Sequence, residues 1–187
     1  MKKIAVVFHS ANGTTRQLAE AVAAGVEQIA AAEVIQAEIT AADISAGRFY
    51  NDSLLNRLDS ADAIVFGSPT YMGSVSAQFK AFADASSERW EAQLWRNKLA
   101  AGFTIGSNLN GDQLGTLQYM QILASQHGML WAGLDIPGNS NGHGLNRLGA
   151  QSGVIAQAER ADLCDSDLLT ARYLGQRVAQ LCLKFTT

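Results

Sequence analysis

Apolar residues along the chain fall into two rhythms that alternate from the first residues onward. Ile4-Ala5-Val6-Val7-Phe8 is an unbroken apolar run of strand length, the pattern of a strand covered on both faces. From Arg16 to Ile29 the rhythm changes, with Leu18, Ala21, Val22, Gly25, Val26 and Ile29 at the spacing of a helix with one buried stripe. Residues 33–39 alternate in part and carry charge, which suits a strand at a sheet edge. A loop from 40 to 51, with room for a helical turn at 42–44, leads to a short helix over 52–58 that sets Leu54, Leu55 and Leu58 on one side. Residues 61–67 read as a second central strand, and Phe79, Phe82 and Ala83 mark a helix beginning near Ser76. Residues 99–104 form a strand of small residues, followed by a helix over 113–126 with Asn110 or Asp112 as cap and His127-Gly128 as stop. Residues 129–134 read as the last strand, 135 to about 165 as a long irregular stretch, and 167–184 as the closing helix. Strands alternating with helices require right-handed crossovers, so the expected fold is α/β, a five-stranded parallel sheet covered on both faces. With no internal repeat and no Pro-, Gly- or Ser-rich linker, residues 1–187 are expected to form one domain.

In an open sheet of this kind, ligands bind beyond the carboxyl ends of the strands. Three loops rich in hydroxyls, glycine and amides leave strands on that edge: 10–15, 68–73 and 104–112. The first, Ser10-Ala11-Asn12-Gly13-Thr14-Thr15, opens a helix, where unpaired N–H groups and the positive end of the dipole favour an anion. It matches neither G-x-x-x-x-G-K-[ST] nor G-x-G-x-x-G. Without lysine or arginine it suits one terminal phosphate monoester held by neutral donors. The same residues are also ordinary cap and turn formers, so the loop alone leaves both readings open. In the second loop, Pro69 fixes the backbone, Thr70 offers donors, Tyr71 presents a flat face and Gly73 permits close approach. Together the loops ask for a ligand with a phosphate at one end and a planar, hydrogen-bonding ring at the other.

Charge narrows the partners. Of 187 residues, 14 are basic and 17 acidic, giving a formal charge of -3 with no basic cluster, which argues against nucleic acid. No apolar run approaches the ~20 residues a bilayer span needs, so no membrane insertion is expected. The apolar run after Lys2-Lys3 ends at Ser10 and Asn12, too early for a signal peptide, and the cytoplasm is the expected compartment. Cys164 and Cys182 stand far apart, neither in a C-x-x-C pair nor beside histidine, so no metal site is expected.

The stretches SANGTT, GSPTYMGSVSAQFKAFAD, GFTIGSNLNGD, QHGMLWAGL and ARYLGQRVA together resemble the flavodoxin-like NAD(P)H:quinone oxidoreductases, the group named after tryptophan-repressor-binding protein. The resemblance runs from about Lys3 to Ala179. It implies a flavodoxin-like three-layer sandwich, strand order 2-1-3-4-5, with FMN bound non-covalently and NAD(P)H as co-substrate. By that resemblance Ser10, Asn12, Gly13, Thr14 and Thr15 hold the FMN phosphate. Pro69, Thr70, Tyr71, Met72 and Gly73, with Thr104, Ile105, Gly106, Ser107, Asn110 and Gly111, border the isoalloxazine ring. His127 falls where the family has a histidine near flavin and quinone and is the expected catalytic residue. Trp90, or Trp95 in its stead, falls where the family has an aromatic that reaches a neighbouring subunit's site. Tyr71 and Trp90 are thus expected to touch substrate in a homodimer or homotetramer. Two departures stand out: Asn12 replaces an aromatic common in the family, and Asn139-Ser140-Asn141-Gly142-His143-Gly144-Leu145-Asn146-Arg147 fits the pattern only loosely.

The expected reaction is a ping-pong transfer of two electrons from NAD(P)H to a quinone or similar small acceptor. An electron-carrier flavodoxin that docks redox proteins remains an alternative, although a charge of -3 supplies little steering field. A flavin-free binding module on the same fold is a further one. A phosphoacceptor receiver domain is set aside, because Gly67-Ser68 stands where such a domain needs a carboxylate.

Overall fold

The computed structural model describes residues 1–139, 142, 144–159 and 162–185. Strand β1 (Lys2–His9) is central, and its apolar run is buried on both sides. Ile4, Val6 and Phe8 face one helical layer, while Ala5 and Val7 face the other. Helix α1 (Thr14–Glu27) returns the chain to β2 (Ala32–Ile39), the charged edge strand. A 3-10 turn (Ala41–Asp43), a small hairpin of β3 (Ile44–Ser45) and β4 (Arg48–Phe49), and α2 (Asp52–Asp59) follow. Strand β5 (Ala63–Tyr71) pairs with β1 and folds back on β6 (Ser74–Val75). Helices α3 (Ala77–Ala85) and α4 (Ser87–Glu91) lead to β7 (Leu99–Gly106), and α5 (Gln113–Gln126) leads to β8 (Leu130–Trp131). The chain ends with β9 (Val154–Glu159), β10 (Asp162–Leu163) and α6 (Asp165–Lys184).

The main sheet runs β10-β9-β7-β5-β1-β2, all parallel except for β10 at the far edge. Counting the five parallel lanes in chain order gives 2-1-3-4-5, as expected. Helices α1 and α6 cover one face and α2, α3 and α5 the other. The α1–α6 crossing is close because each helix offers a glycine to its partner's backbone. A Cβ at Gly25 would stand 1.9 Å from the Arg172 carbonyl oxygen, and one at Gly175 would stand 2.0 Å from that of Val22.

The fifth lane corrects the expected strand at 129–134 and the irregular stretch at 135–165. Only Leu130 and Trp131 pair, with Leu99 and Ala100 at the start of β7. The chain then leaves the sheet, held by the Leu134 N–H donating to the Gln151 carbonyl at 2.8 Å. It re-enters as β9, whose Val154 to Gln157 pair with Phe103 to Gly106 at the other end of the same neighbour. One lane is thus filled by two segments with an excursion between them, and the second half lies inside a stretch expected to be irregular. Of that excursion, Ser140, Asn141 and His143 lie outside the described residues.

Candidate functional site

The carboxyl edge of the sheet gathers the three loops as expected. Helix α1 begins at Gly13, whose φ of 85° is left-handed; nothing crowds a Cβ there, so the backbone conformation rather than space calls for glycine. Gly13 itself, having no side chain, gives this helix start no cap. The Ser10 hydroxyl accepts the Arg16 N–H at 3.1 Å, and Gln17 N–H returns to the Gly13 carbonyl at 3.1 Å. The N–H groups of Thr14 and Thr15 belong to the first turn and have no carbonyl four residues back within the helix. Arg16 itself is turned away, its guanidinium forked onto Glu38 at 3.0 and 2.7 Å. The result is a concave row of neutral donors with no side-chain cation aimed into it.

The second loop is a hairpin tip. Thr70 pairs with Val75 and Tyr71 with Ser74, leaving Met72 and Gly73 as a two-residue turn with φ of 50° and 75°. Positive φ at both positions is what such a turn needs, and at Met72 it costs backbone strain. The tip rests on the start of α5, where a Cβ at Gly115 would lie 2.4 Å from the Gly73 carbonyl oxygen. The third loop leaves β7 at Gly106 and passes Gly111 and Asp112, both left-handed, before α5 begins, again without a side-chain cap.

Behind these loops lies a set of shared hydroxyls. Thr70 Oγ1 is 2.8 Å from both Thr104 Oγ1 and Thr116 Oγ1, and the Thr104 hydroxyl donates to the Ser68 carbonyl at 2.8 Å. Gln113 is fully buried; its Nε2 donates to the Asn108 carbonyl at 3.0 Å, and its Oε1 has no hydrogen-bond partner.

A cleft of about 460 Å³ opens between the loops, lined by Asn12, Thr14, Thr70, Tyr71, Ile105, Gly106, Ser107 and Ala158. All three loops therefore contribute to one cavity, with the late strand β9 supplying Ala158. Ser10, Gly13 and Thr15 shape the first loop, Met72 and Gly73 the hairpin tip, and Asn110 and Gly111 the third loop beside the cleft. Among the described residues no cluster of three metal-ligating side chains occurs. A larger cavity of about 660 Å³ lies elsewhere, between the β3–β4 hairpin and α3–α4, walled by Phe49, Tyr50 and Arg89 among others.

His127 does not join the cleft of its own chain. It caps the far end of α5, fourteen residues and about 21 Å of helix from the third loop. The Asn97 N–H, two residues before β7 begins, bonds the Gly128 carbonyl, so this is the amino edge of the sheet. The imidazole is 2% exposed and lies against Trp95, with ring centroids 4.3 Å apart and the planes tilted by 32°. The Ser86 hydroxyl donates to the Ala83 carbonyl at 2.7 Å, so it accepts from His127 Nε2 at 2.9 Å and leaves Nδ1 bare. Burial pushes this histidine down to about 4, which keeps it neutral. Trp95 is equally part of the core, with its indole N–H on Asp59 Oδ1 at 2.7 Å. Trp90 lies on α4, 46% exposed, on the same remote edge.

Sequence reasoning missed His9, Ser76, Thr116, Gln113 and Ala158. Of these only His9, directly before the first loop, carried a readable signal.

A family described as NADPH-dependent FMN reductase matches residues 3–134. A relative named flavodoxin FldP, from Pseudomonas aeruginosa, is 36% identical, covering 97% of this chain and 97% of its own. An NAD(P)H dehydrogenase (quinone) of Archaeoglobus fulgidus is 32% identical over 98% of this chain and 99% of its own length. Among solved structures, a WrbA-like flavodoxin from Agrobacterium tumefaciens superposes with a TM-score of 0.77 at 40% identity, covering all of both chains.

Proposed function

Since the chain belongs to the NADPH-dependent FMN reductase family, we propose that its carboxyl-edge cleft holds FMN and passes two electrons from NAD(P)H to a quinone in a ping-pong cycle. It is an FMN-dependent NAD(P)H oxidoreductase; the quinone and the alternating use of one pocket are the finer part of the reading. The observation that carries it is the start of α1, where Gly13 gives no side-chain cap, opening into the same cavity as Tyr71 and the third loop. A neutral row of N–H groups with hydroxyls beside it fits a phosphate monoester, and a cleft with an aromatic wall fits a flat ring.

When bound, FMN supplies the hydride chemistry. The protein's part is to bind, orient and exclude. Ser10, Asn12, Gly13, Thr14 and Thr15 meet the phosphate with backbone dipoles and hydroxyls. Pro69, Thr70, Tyr71, Met72 and Gly73 form one wall beside the ring, and Thr104, Ile105, Gly106, Ser107, Asn110 and Gly111 form the other. The Thr70–Thr104–Thr116 hydroxyls fix those walls relative to α5. The first loop, the stretch from Ser68 to Ser76 and the stretch from Thr104 to Gly111 contain no charged side chain. Such a mouth suits an uncharged planar acceptor, and it gives a charged redox protein nothing to read.

With His127 buried at the other edge and His9 bonded to Ser76, no histidine among the described residues is offered as an acid to the acceptor from within its own cleft. Trp90 is exposed and remote from that cleft, so any contact with substrate is made in a neighbouring copy, and we keep a homodimer or homotetramer as the working assembly. Among the described residues no helix is long and apolar enough to cross a membrane. The two cysteines are unpaired, which supports the cytoplasm as the compartment.

The electron-carrier reading is favoured by one finding, the relative named flavodoxin. One measurement separates the two. Purified protein should be yellow, and adding NADPH should bleach it, with benzoquinone restoring the colour repeatedly at catalytic rates. Yellow protein that NADPH leaves unchanged would favour the carrier, and colourless protein that takes up no added FMN would remove both.

A further inference from the structure

His9 is the last residue of β1 and the immediate neighbour of the phosphate loop, yet its side chain points the other way. It is 6% exposed, and its Nδ1 lies 2.9 Å from the Ser76 hydroxyl. Ser76 caps α3, its oxygen accepting the Phe79 N–H at 3.3 Å, and it closes the β5–β6 hairpin that carries Tyr71, Met72 and Gly73. The Ser76 N–H in turn donates to the Ser68 hydroxyl at 2.9 Å, and that hydroxyl donates to the Pro69 carbonyl at 2.9 Å. The Ser76 oxygen thus already accepts a bond, and its one proton is available to His9 Nδ1. Burial holds the imidazole below its usual range, against a smaller opposing pull from Glu38, which favours the neutral ring; with its proton on Nε2, that ring accepts the bond at Nδ1.

A buried path of three side chains therefore runs from the exit of β1 to Pro69 and the base of the hairpin. It joins the loop that opens α1 to the loop that faces the ring. We propose that His9 is a positioning residue that couples the two halves of the flavin site: seating a phosphate at residues 10–15 sets the Pro69–Gly73 wall for the ring. The proposal rests on the flavin reading of the cleft. Physically, an anion that orders the first loop fixes the end of β1. His9 then holds Ser76, and through it the hairpin, in the arrangement that receives the ring. Two ligands that each favour one arrangement of a shared element bind cooperatively.

The test uses the two pieces of FMN separately, on apoprotein prepared from the full chain. Riboflavin affinity is measured by fluorescence quenching with and without saturating inorganic phosphate. In the unaltered protein, phosphate should tighten riboflavin binding about 5-fold. In His9→Leu that ratio should fall to about 1, whereas His9→Asn, whose amide reaches the place of Nδ1, should keep most of it. Should the leucine variant fail to fold by circular dichroism, His9→Gln replaces it, since its amide lies beyond the Nδ1 position. A ratio that persists in the leucine or glutamine variant, or a ratio of 1 in the unaltered protein, overturns the coupling. Unaltered apoprotein that binds neither riboflavin nor FMN overturns the flavin reading itself, and the coupling with it.

Discussion

The two edges of the sheet use opposite chemistries. At the amino edge are the side chains a chemist would pick for catalysis: His127, Trp95, Asp59, Arg89 and Lys98. There Trp95 and Arg89 converge on Asp59, while the Lys98 ammonium reaches the Leu58 and Asp59 carbonyls at 3.0 and 2.6 Å. These groups hold one another and fasten α2, α4 and α5 to the starts of the strands. At the carboxyl edge the side chains are small, neutral and unremarkable, but the backbone is not. At two helix starts the N-cap residue makes no side-chain cap bond, and Gly13, Met72, Gly73, Gly111 and Asp112 all sit at positive φ. The difference teaches that a binding site for a cofactor carrying its own reactivity shows itself in unspent donors and strained turns. Reactive residue types, when paired among themselves, mark structure.

Breaking the carboxyl edge should have the largest effect. Thr14→Glu puts a carboxylate beside a phosphate dianion in a site with no cation, a repulsion of at least ~4 kcal/mol at an effective dielectric near 20. FMN affinity should drop by about 1000-fold or more in a quenching titration while the thermal midpoint stays within a few degrees. Retained flavin would show that the first loop is misassigned.

At the amino edge the expected effect is on stability alone, and it has a pH signature. Burial lowers His127 from 6.5 to about 4, so the folded protein binds this proton less readily than the unfolded chain. Its contribution is therefore fully present above pH 6.5, declines as pH falls from 6.5 toward 4, and levels off below; the loss is at most about 3 kcal/mol. Urea unfolding between neutral pH and about pH 4 should show that decline, and His127→Phe should flatten it. NADPH-dependent benzoquinone turnover at neutral pH should be unchanged in that variant, since the ring is outside its own cleft. A turnover loss with an unaltered acid limb would reverse the assignment of the two edges.

Two smaller changes sharpen the contrast. Gly115→Ala drives a methyl into the Gly73 carbonyl and must shift the hairpin tip. FMN binding should weaken about 10-fold, with about 1–2 kcal/mol of stability lost. Tyr71→Ala removes the aromatic wall and should weaken FMN about 5- to 10-fold with little change in stability, read in the same titration.

Much of this was legible in the residues themselves. The run from Ile4 to Phe8 and the helical stripe after Arg16 are local patterns, and so are the three polar loops that follow apolar strands. Local patterns survive folding when every element is covered on both faces. The fifth lane was not legible, because its two halves are each too short to stand out and become one strand only by pairing with opposite ends of β7. That His127 lies away from the cleft of its own chain was not legible for a related reason. Sequence neighbours at a helix end are far from the helix start, and only the direction in which α5 runs decides which edge they reach. His9 was passed over because its partner Ser76 is distant in sequence and the bond between them exists only across the packed sheet.

By itself, then, the order of residues determined an α/β sheet with uncharged, glycine-bearing loops after its strands, since hydrophobic period and turn chemistry act over a few neighbours. Tertiary structure alone decided which histidine lies behind the cleft and which is locked in the opposite edge. It also decided that Ala158 lines the cavity and that a hydroxyl network ties the loops together. These are contacts between segments tens of residues apart, and pairing of strands and packing of helices create them only when the whole sheet has formed.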